Sequence, residues 1–405
     1  MITKWKVFNF KSVRKETELE FAPLTIFAGA NSSGKSTFLQ SILLVAQTLD
    51  NRVDSRSIIL NGSLARLGQF DDIFSRQAES EQIVLGFECE PVNQEVELRY
   101  GGETSLRLAP IYFSDSEMKI SQVGCEFAFD ADPSSPQRDI LQLQPRLFSS
   151  SLKVTMSDSE GNSESIPSIF VTNAAVSGET STSRARELEV AESLSEYAGR
   201  SLEQYVTIDD RSLDEIRARF QSAQLVGCLM QHFLPDRLSL RIDRTFEDSV
   251  FVASVLCDFS ERYFSVWRAP TRAERITVPA GVLQDLQNAI RSALAGLGEE
   301  SIWAENLLAK TEAESSQLTV WLERLRSLRS DQRRSLTMLL SRDPELRDRL
   351  SEKYRAHYPT AFEIVPHRLP DNLRMGVDYL ERFFGRNFSK RPVKHRWLTA
   401  RRERV

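Results

Sequence analysis

Residues 29–36 read Gly-Ala-Asn-Ser-Ser-Gly-Lys-Ser and meet G-x-x-x-x-G-K-[ST] at each fixed position. That spacing serves one kind of chemistry. The backbone N–H groups of a glycine-permitted loop wrap phosphate oxygens, while the helix behind them presents its positive end. Asn31, Ser32, Ser33 and Gly34 form the cradle in this reading. Lys35 reaches the β- and γ-phosphates, Ser36 gives a hydroxyl to Mg²⁺, and Thr37 opens the helix. The expected ligands are therefore ATP and Mg²⁺, with Lys35 as the catalytic cation. A chance octet in a Gly/Ser-rich loop is the competing reading. The apolar run Leu24–Ala28 before the loop and the helix-like stretch Thr37–Thr48 after it supply the context the motif demands.

The elements that position the loop read as three short strands and a helix. Trp5, Val7 and Phe8–Phe10, then Leu19 and Phe21, then Leu24–Ala28 form the apolar runs. The helix Lys35–Leu49 carries Phe38, Leu39, Ile42, Leu43, Val45 and Ala46, a face broad enough to lie buried on a sheet. Asn61-Gly62 marks a turn. Ile83–Phe87, Val96–Tyr100, Leu106–Phe113 and Met118–Phe129 alternate as an antiparallel meander, with Leu152–Met156 and Ser168–Val171 as further strands. Asp130–Pro145 and Ser157–Pro167 read as loops, and Ala174–Arg184 as small and polar. Helices are expected over Ser183–Tyr197, Ser212–Gln231, Pro279–Leu297, Ser301–Thr311, Ser316–Leu328, Asp331–Leu340, Pro344–His357 and Met375–Phe384, with a strand pair over Asp248–Trp267. The domain reading is an N-terminal lobe over 1–172, a connecting region over 173–273, a helical insertion over 274–358, a return toward the head over 359–388 and a basic tail over 389–405.

Composition narrows the class. The chain has 405 residues, 41% of them hydrophobic, enough for two or three lobes. It has no membrane-length apolar run, and Met1–Lys6 lacks a secretory signal, so a cytoplasmic chain is expected with no membrane partner. Cys89, Cys125, Cys228 and Cys257 lack metal or redox spacing and read as reduced thiols. The net charge of −5 divides unevenly: Arg386–Val405 holds eight Lys and Arg against one acid, +7, leaving −12 on the rest. Phosphate affinity comes from such local clusters.

A phosphate-loop hydrolase also needs an acid on a neighbouring strand to hold the metal. The nearest candidate is Val250–Asp258, an apolar run ending in an acid, although the continuation Phe259–Trp267 suits a hairpin better. Cys89-Glu90 is a weaker candidate, and no LSGGQ-like loop occurs. Lys11 reads either as a solvated loop lysine or as a phosphate contact. Asp71 and Asp72 read more readily as residues that cap or solvate a turn than as metal ligands.

Asn9-Phe10-Lys11-Ser12, Pro23–Thr37, Leu39-Gln40-Ser41-Ile42-Leu43, Leu60-Asn61-Gly62 and Leu67–Ile73 together resemble the start of bacterial ABC/SMC-like ATPases of the AAA family. RecF-like and OLD-like members, many of them found in anti-phage defence islands, are the nearest in pattern. The resemblance is specific over Met1 to about Phe87 and returns faintly at Val377–Phe384. It implies an α/β P-loop NTPase head with a mixed β-sheet and an inserted, mainly helical lobe. It also implies that Lys11 touches nucleotide, and that two heads pair around two ATP molecules, as a homodimer or as paired chains. The family keeps its Walker B acids and signature loop in a C-terminal half. This sequence departs from that pattern by ending in Ser389–Val405, basic and without strand or helix period. A truncated frame, or a split whose second chain supplies those motifs, is the expectation. A basic nucleic-acid tail with Trp397 for stacking is the rival. The function expected is ATP binding, with hydrolysis once completed, in a regulatory or sensor ATPase of anti-phage defence or DNA metabolism. A non-hydrolysing ATP-dependent interaction module and a nucleic-acid-binding recombination protein are the alternatives.

Overall fold

The computed structural model describes residues 1–30, 34–51, 56–75, 80–91, 119–131, 145–157, 163–164, 167–173, 204–257, 276–294 and 318–388. Its centre is an antiparallel sheet of β1 (Ile2–Phe8), β2 (Thr17–Glu20), β3 (Ile83–Cys89), β4 (Lys119–Ala131), β5 (Pro145–Ser157), β6 (Ser163–Glu164), β7 (Ser168–Asn173) and β8 (Gln204–Ile208). The order is β2-β1-β3-β4-β5-β7-β8, with β6 beside β5. Period-two alternation gives the sheet two unlike faces. Trp5, Phe87, Cys125, Leu152, Ile169 and Ile208 stand opposite one another as one lane across six strands. The other face is charged: Lys6 reaches Glu16 and Glu126 at 3.1 and 2.9 Å, and Lys4 reaches Glu18 and Glu88 at 3.6 and 3.7 Å.

Two helices contribute to the cover of the apolar face, α1 (Lys35–Leu49) and α9 (Asp371–Phe388). The indole Nε1 of Trp5 donates to Ser41 Oγ at 2.9 Å, which fixes α1 on β1. Phe384 meets Phe87 edge to face at 5.1 Å, and Phe87 stacks on Trp5 at 5.4 Å. At Gly376 a Cβ would come within 2.4 Å of Val154 Cγ2, so the glycine lets the α9 backbone approach the sheet closely. The short α2 (Phe70–Ile73) follows the loop after α1. At the far end lie α3 (Asp210–Arg219) and a second antiparallel sheet, β9 (Gln224–Gln231), β10 (Leu234–Asp243) and β11 (Phe362–Arg368), in the order β11-β10-β9. Phe233, in the β9–β10 turn, stacks on Phe127 at 4.0 Å and joins this sheet to the main core. Next to it, His232 adopts φ 57° and places Nδ1 and Nε2 at 2.7 and 3.0 Å from the carbonyls of Arg56 and Asn51, pinning the chain that leaves α1.

Between β10 and β11 the chain builds a separate core from α4 (Arg244–Cys257), α5 (Ala280–Leu294), α6 (Leu318–Ser327), α7 (Ser330–Leu340) and α8 (Leu346–His357), centred on Leu256, Leu286, Ile290, Leu336 and Leu350. No helix among the described residues is long and apolar enough to cross a membrane.

Several expectations are corrected. The sheets are antiparallel throughout the described residues, where a mixed sheet was expected. Ser212–Gln231 is not one helix. It stops at Arg219, and Gln224–Gln231 pairs with β10, because tertiary strand pairing outweighs the local pattern. The strand pair expected from Asp248 is helical to Cys257: Asp243 Oδ1 accepts from Phe246 N at 3.1 Å, and the helix buries Val252, Ala253, Val255 and Leu256. Residues 258–267, with Asp258, lie outside the described residues, as do the segments 96–100, 106–113, 183–197 and 301–311. Leu24–Ala28 forms no strand. The four cysteines are buried and none forms a disulfide, and burial pushes the Cys89 thiol up to about 12.

Phe384, on the sheet-facing side of α9, is fully buried. Phe384→Ala should cost about 3–5 kcal/mol through lost burial and the cavity left behind, seen as a lower urea midpoint with an unchanged slope in tryptophan fluorescence.

Candidate functional site

The octet leads into α1 as the sequence implies. Gly34 is the N-cap of α1, with φ 93° and ψ −3°, a backbone region that a side chain enters only with strain. Among the described residues no side chain caps this helix end, and its first turn holds no acid, so nothing described there neutralises the positive pole of α1. Lys35 turns back on its own loop, its Nζ donating to the carbonyls of Gly29 and Ala30 at 2.7 and 2.6 Å. Ser36 is exposed on the first turn, and Thr37 is buried beside it. Asn31, Ser32 and Ser33 lie outside the described residues.

The early loop after β1 packs against this same turn. Asn9 and Lys11 both take positive φ, 60° and 52°, and the tight bend is held by Lys11 N donating to Ile73 O at 2.6 Å. Ser12 Oγ lies 3.0 Å from Thr37 Oγ1, and Lys11 Nζ donates to Gln40 Oε1 at 2.7 Å. Lys11 is thus carried to the first turns of α1, close to the loop that precedes them. Burial lowers the affinity of its amine for a proton, and the charge of Asp72 opposes that shift. Sequence reasoning missed Gln40 and Ser12 as its supports. Neither residue type is distinctive alone, and only the fold brings them together.

Asp72 has a structural task. Its Oδ2 accepts from Gln69 N at 2.8 Å and caps α2, while Asn61 exchanges two hydrogen bonds with the backbone of Gly68, at 2.8 and 3.0 Å. Asp71 is exposed. Asp72 thus caps the turn and Asp71 faces solvent, as the sequence reading of the pair has it. Glu90 follows β3, and its carbonyl accepts from the amino group of Met1. No cluster of three His, Cys, Asp or Glu able to hold a metal ion occurs among the described residues. Among the described residues, the start of α1 presents backbone N–H groups and the Lys35 amine, donors of the kind that suit phosphate oxygens, and the exposed hydroxyl of Ser36, an oxygen of the kind that suits Mg²⁺.

No curated protein matches the chain. Residues 1–170, which hold the Lys11 loop, residues 29–36, α1 and the sheet into β7, match the model of the AAA ATPase domain, a likeness to a domain that binds and hydrolyses ATP and typically uses Mg²⁺.

Proposed function

We propose that this chain binds Mg·ATP at residues 29–37 as the nucleotide-binding part of a RecF-like or OLD-like ATPase head, a regulatory or sensor ATPase of anti-phage defence or DNA metabolism. The observation that carries the reading is the uncapped, acid-free N-terminus of α1 behind a left-handed Gly34, with Lys35 beside it. Lys35 and the loop amides hold the transferring phosphoryl group and stabilise its charge. Ser36 would hold Mg²⁺, which when bound neutralises charge on the β- and γ-oxygens. Lys11, fixed by Gln40, adds a second cation at the same helix end. Water activation needs an acid, and a paired head or a second chain is the proposed source of that acid and of the signature loop. The cytoplasm, where ATP is abundant, is the proposed location, and the basic segment 389–405 keeps nucleic acid as a further proposed partner.

Binding and turnover of Mg·ATP by the purified chain, beside Lys35→Ala, test this reading. The expected outcome is saturable binding that Lys35→Ala weakens by about tenfold or more, the scale of a lost charge-assisted hydrogen bond to phosphate. Equal binding by both proteins overturns it. Turnover abolished by Lys35→Ala places the acid in this chain, and binding without turnover places it elsewhere. Gly34→Ala should destabilise the protein by about 1–2 kcal/mol, the cost of an alanine in the backbone region that Gly34 already occupies without nucleotide, seen as a lower melting temperature. Its new Cβ would meet Ser12 Oγ at an ordinary 3.6 Å, so the loss comes from the backbone and not from a clash.

A further inference from the structure

The pocket between the second sheet and α9 has a charged lining that its own ion pairs do not use up. It measures about 230 Å³, and Arg237, Arg368 and Arg374 share its wall with Asp236, Asp378 and Glu381. Pockets for drug-sized ligands hold roughly 300–1,000 Å³, so the occupant of this one is smaller.

The two signs of charge are segregated. Arg368 ends β11, Arg374 lies in the first turn of α9, and a short connection joins the two elements. Arg237 stands directly opposite Arg368 in the β10–β11 register. Like charges placed opposite on a ladder repel. Among the described residues no acid pairs with Arg368 or Arg374, and Arg237 has only its neighbour Asp236, at 3.5 Å. The acids gather farther along α9. Asp378 and Glu381 follow Arg374 by one and two turns, which puts Glu381 about 10 Å from Arg374 along the axis. Asp236 is the extra residue where β10 shifts register, and its charge acts on Glu381. Burial, together with the charges of Asp378 and Asp236, raises the proton affinity of Glu381, and His232 and Arg382 oppose that shift. Asp378 meets Arg382 at 3.9 Å, while Glu381 makes no ion pair among the described residues. These acids form no cluster able to hold a metal ion, so the cation they suit is an amine.

We propose that this pocket binds a small zwitterion, its carboxylate held by Arg368 and Arg374 and its ammonium group by Asp378 and Glu381. An extended peptide of three residues with both ends free spans about 10 Å, the separation of the two charged ends. Guanidinium groups suit its carboxylate because they bind one in a forked, charge-assisted manner. The occupant bridges β10, β11 and α9, and so ties the base of the helical lobe to the helix that lies against α1. None of this rests on the nucleotide reading.

The probes are triglycine, N-acetyl-triglycine and triglycine amide, titrated calorimetrically into the full chain without nucleotide. Triglycine should bind about tenfold or more tighter than either blocked twin, the scale of a charge-assisted hydrogen bond lost at one end. It should also raise the melting temperature, as a ligand of the native state does. Arg374→Gln should erase the preference over the amide and keep the preference over the acetyl form. Glu381→Gln should do the reverse. Arg374 is exposed and glutamine has nearly the shape of glutamate, so both variants should fold, which melting curves check. Arg368→Gln, at a second exposed position, gives the same reading at the carboxylate end should Arg374→Gln melt early. Equal binding of the three peptides, no binding at about 10 mM, or preferences that no variant alters would each overturn the proposal. An acetyl form that binds as tightly as triglycine means a simple anion site, and overturns it too.

Discussion

Everything near the phosphate loop depends on how α1 is held against one face of the antiparallel sheet. The inner lane from Trp5 to Ile208 is apolar and must be covered, and α1 and α9 contribute to that cover. Burial alone would let a helix slide along such a surface. The bond from Trp5 Nε1 to Ser41 Oγ sets the register of α1 on β1, and His232 holds the chain that leaves its far end. With both ends fixed, the N-terminal pole of α1 has a defined position. The Lys11 loop then needs only the Ser12–Thr37 and Lys11–Gln40 contacts to reach it. The charge at the site is thus a consequence of packing on the opposite side of the helix.

The same arrangement explains the unusual exposure beside the loop. A helix with one buried face is ordinary at the surface of a domain, and its outer face is then polar. α1 instead keeps Leu39 on its outer face, and the extended segment next to it presents Leu24 and Ile26. Single exposed apolar side chains carry little meaning. Three of them on adjacent elements, one a segment whose backbone finds no strand partner among the described residues, make an apolar surface that is costly to leave in water. Phe27 ties the segment to α1 by packing inward on Phe21 and Phe38.

Local signals in the sequence made part of this legible. The bounds of α1 were readable because the octet fixes its start and the apolar periodicity carries on to Leu49. β3, β4, β5 and β7 were readable because one-sided burial writes alternation into Ile83–Cys89 and Leu152–Met156. The failures share a cause. Val250–Cys257 is rich in β-branched and apolar residues, yet it is helical, because the Asp243 cap and burial inside a helical core decide its state. Leu24–Ala28 reads as a strand, but a strand exists only with a neighbour, and no local pattern supplies one. β10 carries Pro235, Arg237 and Arg241, which dilute its apolar signal, and its partner β11 arrives more than a hundred residues later. The supports of Lys11 were invisible for the same reason, since Gln40 matters only once the early loop has folded onto α1.

The helical core is attached in a way that constrains how it can act on the head. The chain enters it at Arg244 and leaves it at Ala361, and these ends are tied together by Arg244 N donating to Ala361 O and Thr245 Oγ1 donating to Pro359 O, both at 2.7 Å. Glu247, buried in the first turn of α4, accepts from Ser222 N at 2.7 Å and Ser222 Oγ at 2.6 Å, in the turn just before β9. Breaking these contacts would leave a buried carboxylate unpaired, so the junction resists free hinging. A force on the lobe is therefore passed into β10 and β11 more readily than it is absorbed at the junction. From β10 the contacts lead to α9, and α9 lies against α1. The lobe thus reaches α1, and the helix end behind Gly34, through packed elements, β10 and α9, that lie against the covered face of the sheet.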